Sequence, residues 1–157
     1  MSIDKVTFLF DLDLSDIPDA DQAQAKKEVA DYLVEAILAD ADEGLSSVSG
    51  RKWEPLSDEY KKFKEKHSHN NKANLELTGA LLDSLTTKQS GNSIEVGFFD
   101  ADEVPIADGH NNFSGDSKLP LRQSIPKPGQ NFRPGILEEV DRILADYKPE
   151  QVLTNAD

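Results

Sequence analysis

The chain has 157 residues, the length of one ordinary domain, and 37% of them are hydrophobic, which is enough for a buried core. Acidic residues outnumber basic ones by 30 to 17, and the net charge of −13 argues against tight binding to nucleic-acid phosphates. There is no cysteine, which excludes disulfides and thiolate metal sites. Neither an apolar run of membrane-spanning length nor a signal-peptide pattern is present, so we expect no membrane association and no export by that route.

The N-terminal part predicts a strand followed by a long helix. Hydrophobic and polar residues alternate over residues 5–14, and one side of this strand carries Val6, Phe8, Phe10, Leu12 and Leu14. Pro18, acidic neighbours and apolar residues at helical spacing then predict a helix over residues 18–42, which Gly44 closes. Four of its acidic residues are expected on the solvated side: Asp31, Glu35, Asp42 and Glu43.

The middle of the chain predicts two short helices with a polar loop between them. Ser57 can cap a helix over residues 58–66, and residues 67–71 are rich in turn-forming side chains. Thr78 can cap the second helix, in which three apolar residues share one inward face: Leu81, Leu82 and Leu85.

A β-hairpin is expected next, with strands over residues 86–89 and 93–99. Its buried face carries Ile94, Val96 and Phe98. Five prolines then interrupt the chain up to residue 134 and predict mainly loop, with one turn of helix at 103–108, a turn at 109–112 and an extended arm at 119–125.

The C-terminal part predicts one last helix and a tail. Pro134 begins the helix, apolar residues recur at helical spacing up to Tyr147, and Pro149 ends it. We expect a single domain over residues 1–148 and a tail over 149–157. The predicted fold is α+β: a small antiparallel sheet of the N-terminal strand, the hairpin and the arm, packed against the long N-terminal helix and the C-terminal helix, with long loops.

Five segments of the chain follow one another in an order that resembles a known family. They are Trp-Glu-Pro-Leu-Ser at 53–57, Leu-Glu-Leu-Thr-Gly-Ala-Leu-Leu-Asp-Ser at 75–84, Ile-Glu-Val-Gly at 94–97, Ile-Ala-Asp-Gly-His-Asn at 106–111 and Leu-Pro-Leu-Arg-Gln at 119–123. This order resembles the virion-morphogenesis, or tail-completion, proteins of tailed bacteriophages, over roughly residues 27–147. One position departs from the pattern: the family's aromatic residue after Pro-x-Arg-x falls at Ser124, so that ring is absent or supplied from elsewhere, with Phe132 as a candidate.

The resemblance implies a structural role rather than an enzymatic one. Proteins of this kind lie at the neck or tail top of the virion, where copies arranged in a ring complete the tail and join it to the head. The implied partners are further copies of the chain, the portal or connector, and the tail-tube or tail-terminator proteins. No cofactor and no metal are implied, and assembly would take place in the host cytoplasm.

Seven residues are candidates for the interface. Arg122 lies in the extended arm after Pro120, where a planar guanidinium can bind carboxylates of a partner or of its own fold, and both possibilities remain open. Trp53 can be a core anchor or an interface residue. The remaining candidates lie in the matched segments or in the polar loop, and they are Gln123, His110, His67 and His69.

Two other classes of function remain as alternatives. A metal-dependent hydrolase would need the three histidines together with acidic residues between 100 and 108, namely Asp100, Asp102, Glu103 and Asp108, although their spacing is not that of a metal site. An acidic inhibitor that imitates DNA would also carry a large negative charge, and binding to a basic DNA-handling enzyme would identify it.

Overall fold

The computed structural model describes residues 4–53, 80–112 and 123–149. Its strands are β1 (Val6–Asp11), β2 (Leu85–Ser90) and β3 (Ser93–Phe98). Its helices are α1 (Asp19–Asp42), α2 (Ala80–Asp83), α3 (Val104–Asn112) and α4 (Pro134–Ala145). The predicted α+β class is confirmed, with a small antiparallel sheet, a long N-terminal helix and a C-terminal helix. The predicted helix at 58–66, the loop at 67–71, the Thr78 cap and residues 150–157 of the predicted tail lie outside the described residues.

The sheet has the strand order β1-β3-β2, and both pairs are antiparallel. The hairpin of β2 and β3 turns at Gly91, whose φ of 58° suits glycine. In the register between β1 and β3, Val6 lies opposite Phe98 and Phe10 lies opposite Ile94, so the predicted buried faces of the two strands coincide. β3 is the central strand and carries the most buried residues of the sheet.

Gly97 of β3 is required by the close approach of β1. Its φ is 150°, which side-chain-bearing residues rarely adopt. A Cβ atom at this position would collide with the Val6 carbonyl oxygen and would lie 2.8 Å from the Thr7 Cα. The glycine of the 94–97 segment therefore has a packing role inside the sheet.

The outer face of the sheet carries a polar cluster around Glu95. Its carboxylate pairs with the Lys5 ammonium at 2.6 Å and accepts a hydrogen bond from the Thr7 hydroxyl at 2.6 Å. The hydrogen bond from Lys5, followed by that from Thr7, lowers the pKa of the Glu95 carboxyl. The cluster ties the start of the chain to the central strand.

The core lies between the inner face of the sheet and the helices. α1 and α4 pack against each other, and α1 also contacts β2 and β3. Phe132 is buried and its ring lies 5.7 Å from that of Phe8 and 5.9 Å from that of Phe10, within the range of aromatic packing. Phe132 thus packs on β1. The most deeply buried side chains of the core include Val29, Leu33, Ile37, Val96, Ile125 and Ile136.

Three local predictions were wrong. Leu85 is the first residue of β2 and pairs with Phe98, so its predicted burial is right, at 6% exposure, but it belongs to a strand and not to the preceding helix. The helix expected at 103–108 continues to Asn112, so the segment 109–112 is helical and does not form the predicted turn. The described end of the arm, residues 123–125, is not a strand of the described sheet, because the side chain of Asn111 takes up its backbone N–H groups.

Among the helices of the described ranges, none is long and apolar enough to cross a membrane.

Candidate functional site

Three of the segments that carry the resemblance come together at one corner of the molecule. We call this the Trp53 corner, and it comprises Trp53, Asn111 and residues 123–125. The loop after α1 positions Trp53, because Gly44 leaves the helix with a φ of 74° and the chain then reverses through an isolated bridge between Leu45 and Lys52. The Trp53 N–H donates to the Gly44 carbonyl at 2.8 Å, which holds the tryptophan beside the end of α1.

The indole of Trp53 links this loop to the arm. Its Nε1–H donates to the carbonyl oxygen of Gln123 at 3.3 Å, and the residue as a whole is 8% exposed. Two of the predicted interface residues, 70 positions apart in sequence, are thus in direct contact. The contact satisfies the indole N–H inside the fold, as a buried tryptophan requires.

Asn111 holds the next two residues of the arm. Its Oδ1 accepts hydrogen bonds from the backbone N–H groups of Ser124 at 2.9 Å and Ile125 at 2.8 Å, and its Nδ2 donates to the Ile125 carbonyl at 2.9 Å. Asn111 and Ser124 are each 3% exposed, and Ile125 is 1% exposed. One buried side chain therefore replaces a partner strand for this piece of backbone.

The amide of Gln123 continues the same network towards solvent. Its Nε2 donates to the Ile125 carbonyl at 3.1 Å and to Oε1 of Gln130 at 2.5 Å. Gln130 Oε1 also accepts from the backbone N–H of Lys127 at 3.0 Å. The carbonyl of Gln123 is thus bound by Trp53, and its side-chain amide is bound to Ile125 and Gln130. Gln123 directly follows Arg122 in the chain.

A partly buried ion pair connects α1 to the start of α4. Arg133 donates to both carboxylate oxygens of Asp40, from Nε at 2.9 Å and from Nη2 at 3.0 Å. The Asp40 side chain is 8% exposed and that of Arg133 is 32% exposed. The hydrogen bonds with Asp40 raise the pKa of the Arg133 guanidinium, so the arginine stays charged.

Ser47 completes this ion-pair site. Its hydroxyl donates to Asp40 Oδ2 at 2.8 Å, and its backbone carbonyl accepts from the Arg133 N–H at 2.8 Å. The loop that carries Trp53 is therefore tied to both helices. The carboxylate of Asp40 accepts three hydrogen bonds from neighbours, so both of its oxygens are bonded inside the fold.

Sequence reasoning missed Asp40 and Arg133. A signal for Asp40 was present, because it follows Leu33, Ala36 and Ile37 on the apolar side of α1, where an acidic residue needs a partner. Nothing in the sequence identified Arg133 as that partner, since the two residues are 93 positions apart and the chain has many other charged residues.

The other candidate residues are placed only in part. His110 lies in α3. Pro120, Arg122, His67 and His69 lie outside the described residues. Within residues 4–53, 80–112 and 123–149, no group of three or more histidine or carboxylate side chains is arranged to hold a metal ion. In those ranges the buried Oε2 of Glu103 has no hydrogen-bond partner, and Asp100 accepts a hydrogen bond from the Asp102 N–H at 2.8 Å.

Comparison of the chain with protein-family models, curated proteins and solved structures finds no match to any of them.

Proposed function

We propose that this chain is a structural, non-enzymatic protein of a tailed-phage particle. It would lie at the neck or tail top as part of an oligomeric ring, completing the tail and joining it to the head connector. The supporting observation is the Trp53 corner, because segments whose order resembles that of tail-completion proteins are there bonded to one another through Trp53, Asn111 and Gln123. Segments that are scattered over 70 positions of sequence thus act as one structural unit.

The Trp53 corner suits a binding role because its contacts hold the backbone of the arm in place and do not position reactive side chains. A segment that binds a partner loses less conformational entropy when its base is already held in place. Here the indole of Trp53 and the amide of Asn111 hold the backbone at residues 123–125, immediately after the Pro120–Arg122 part of the arm in sequence. We propose that Arg122 binds carboxylates of a neighbouring subunit or of the connector.

The decisive experiment is removal of the protein from a phage that encodes it. A nonsense mutation should leave filled heads and separate tails in electron micrographs, and adding the purified protein to the lysate should restore joined, infectious particles. Intact and infectious particles without the protein would rule the proposal out.

Variants added to the same lysate test the role of the arm. Arg122→Ala should fail to restore infectivity while its melting temperature stays near that of the native protein. Arg142→Ala is the matched control, because Arg142 is an exposed arginine of α4 that pairs with Glu139 of the same helix and with Asp146 directly after it. Equal restoration by the two variants would remove Arg122 from the interface.

A further inference from the structure

A groove of about 370 Å³ lies between the end of β1 and one side of α4. We call it the β1–α4 groove. Phe10 and Leu12 line it at the end of β1. Its apolar lining on α4 consists of Leu137, Val140 and Leu144. Its charged lining consists of Asp11, Asp13, Asp141 and Lys148. None of the residues of the Trp53 corner belongs to this groove.

The two periodicities of the chain explain why the groove has an apolar floor and a charged rim. Buried and exposed residues alternate from Phe10 to Asp13, so Phe10 and Leu12 face inward while the two aspartates stay exposed. On α4 the groove residues follow one another at helical spacing, with buried Val140 and Leu144 beside exposed Asp141. The apolar floor is therefore continuous with the core, and the carboxylates surround its opening.

The rim is negatively charged. It carries three carboxylates and one ammonium, a difference of two negative charges. Asp13 accepts hydrogen bonds from the hydroxyl of Ser15 at 2.6 Å and from its backbone N–H at 3.1 Å, and these bonds lower the pKa of the Asp13 carboxyl, with Lys148 adding a smaller effect. Asp11 accepts from the Ser93 hydroxyl at 2.5 Å. Each of these aspartates keeps acceptor capacity for a further donor.

We propose that the β1–α4 groove binds a segment of a partner protein in which one or two apolar side chains are flanked by arginine or lysine. The apolar side chains would pack on Leu137, the half-buried apolar residue of the lining, and the cationic side chains would pair with Asp141, Asp11 and Asp13. Charge complementarity selects this partner, since the rim is acidic and the whole chain carries −13. This inference does not depend on the role in a virion.

The size of the groove suits a few side chains of a peptide segment. Its volume is at the small end of the roughly 300–1,000 Å³ range of ligand pockets, which is enough for a few side chains. Arginine fits the rim better than lysine, because its planar guanidinium can donate two parallel hydrogen bonds to one carboxylate.

Binding can be tested by NMR with a synthetic peptide, Gly-Ser-Arg-Leu-Leu-Arg-Ser-Gly, blocked at both ends. Titrating it into the full-length, isotope-labelled protein should shift the backbone amides of β1 and α4 around the groove. A peptide with both arginines replaced by citrulline keeps the shape and loses the charge, and it should bind about tenfold more weakly. No shift at the groove with millimolar peptide, or equal affinity of the two peptides, would overturn the proposal.

Two charge-reversal variants locate the site. Asp141→Lys should weaken binding of the arginine peptide by about tenfold or more. Asp42→Lys is the control: it makes the same change of charge at the exposed last residue of α1, and Asp42 does not line the groove. Equal affinities of the two variants would mean that only the overall charge matters. If arginine amide alone produced the same shifts at the same concentration, the groove would be a site for small cations and the peptide proposal would fall.

Discussion

The ion pair of Asp40 and Arg133 should be the most sensitive polar contact of the described fold. Replacing Arg133 by methionine keeps an apolar side chain of similar length but removes the guanidinium. Of the side-chain donors that bond to Asp40 in the described residues, only the Ser47 hydroxyl then remains. The Asp40 side chain is only 8% exposed, so water cannot readily replace the lost donors. A buried carboxylate that loses its cation is the expected source of instability.

The size of the effect follows from the burial of the pair. Breaking a fully buried ion pair by removing one partner costs about 3–5 kcal/mol. The Arg133 side chain is 32% exposed, so water partly screens the pair. We therefore expect Arg133→Met to lower the free energy of unfolding by about 2–4 kcal/mol. For a domain of this size that corresponds to a fall in melting temperature of about 4–16 °C.

Urea unfolding followed by circular dichroism measures this loss, and two further variants identify its cause. Arg142→Met changes an arginine of α4 whose side chain is 61% exposed, and it should change the stability much less than Arg133→Met, because exposed ion pairs contribute little. Adding Asp40→Leu to Arg133→Met removes the stranded carboxylate and should recover part of the lost stability. The reasoning is refuted if Arg133→Met costs no more than Arg142→Met, or if the second substitution only adds a further loss.

Three other substitutions test separate parts of the structure. Gly97→Ala should lower the free energy of unfolding by at least about 2 kcal/mol in urea titrations, because the added carbon collides with backbone, and a loss no greater than that of Gly91→Asn would contradict this. Asn111→Leu should speed hydrogen exchange of the Ser124 amide, and unchanged protection would show that the asparagine does not hold the arm. The folded-state pKa of Glu95 is lowered, so its stabilisation is present above the unfolded-state pKa and is lost as pH falls through the folded-state value. Glu95→Gln should therefore destabilise near neutral pH and have little effect in strong acid, and a constant difference across urea titrations from neutral to acid would contradict the assigned role.

The parts of the fold that the sequence predicts are those with a local pattern. Alternation identified β1 and the hairpin, and helical spacing with flanking proline and glycine identified α1 and α4. These signals need only neighbours in the chain, because amphipathic periodicity records which side of an element is buried. Leu85 shows the limit: a leucine at the junction of a short helix and a strand satisfies both patterns, and its pairing with Phe98 decides between them.

The polar contacts of the candidate site could not be predicted because they join distant positions through side chains. Asn111 takes the place of a partner strand for residues 124–125. No rule based on residue spacing predicts an asparagine side chain that bonds to backbone 13 and 14 residues further along the chain. Residues 109–112 are helical although glycine and asparagine favour turns, and Asn111 of this segment is bonded to the arm. Local propensity alone therefore predicted a turn where the structure has a helix.

The Trp53 corner, which holds the arm, and the β1–α4 groove differ in what their polar groups already contact, and this difference predicts how each would respond to substitution. At the Trp53 corner, the indole N–H and the Asn111 amide are bonded inside the fold, so substitutions there change stability and arm position together. At the β1–α4 groove, Asp141 is exposed on the helix, and reversing its charge leaves the buried floor intact. Substitution of Asp141 should therefore weaken binding at the groove without a loss of stability, whereas substitution of Trp53 or Asn111 should lower stability and disturb the arm together.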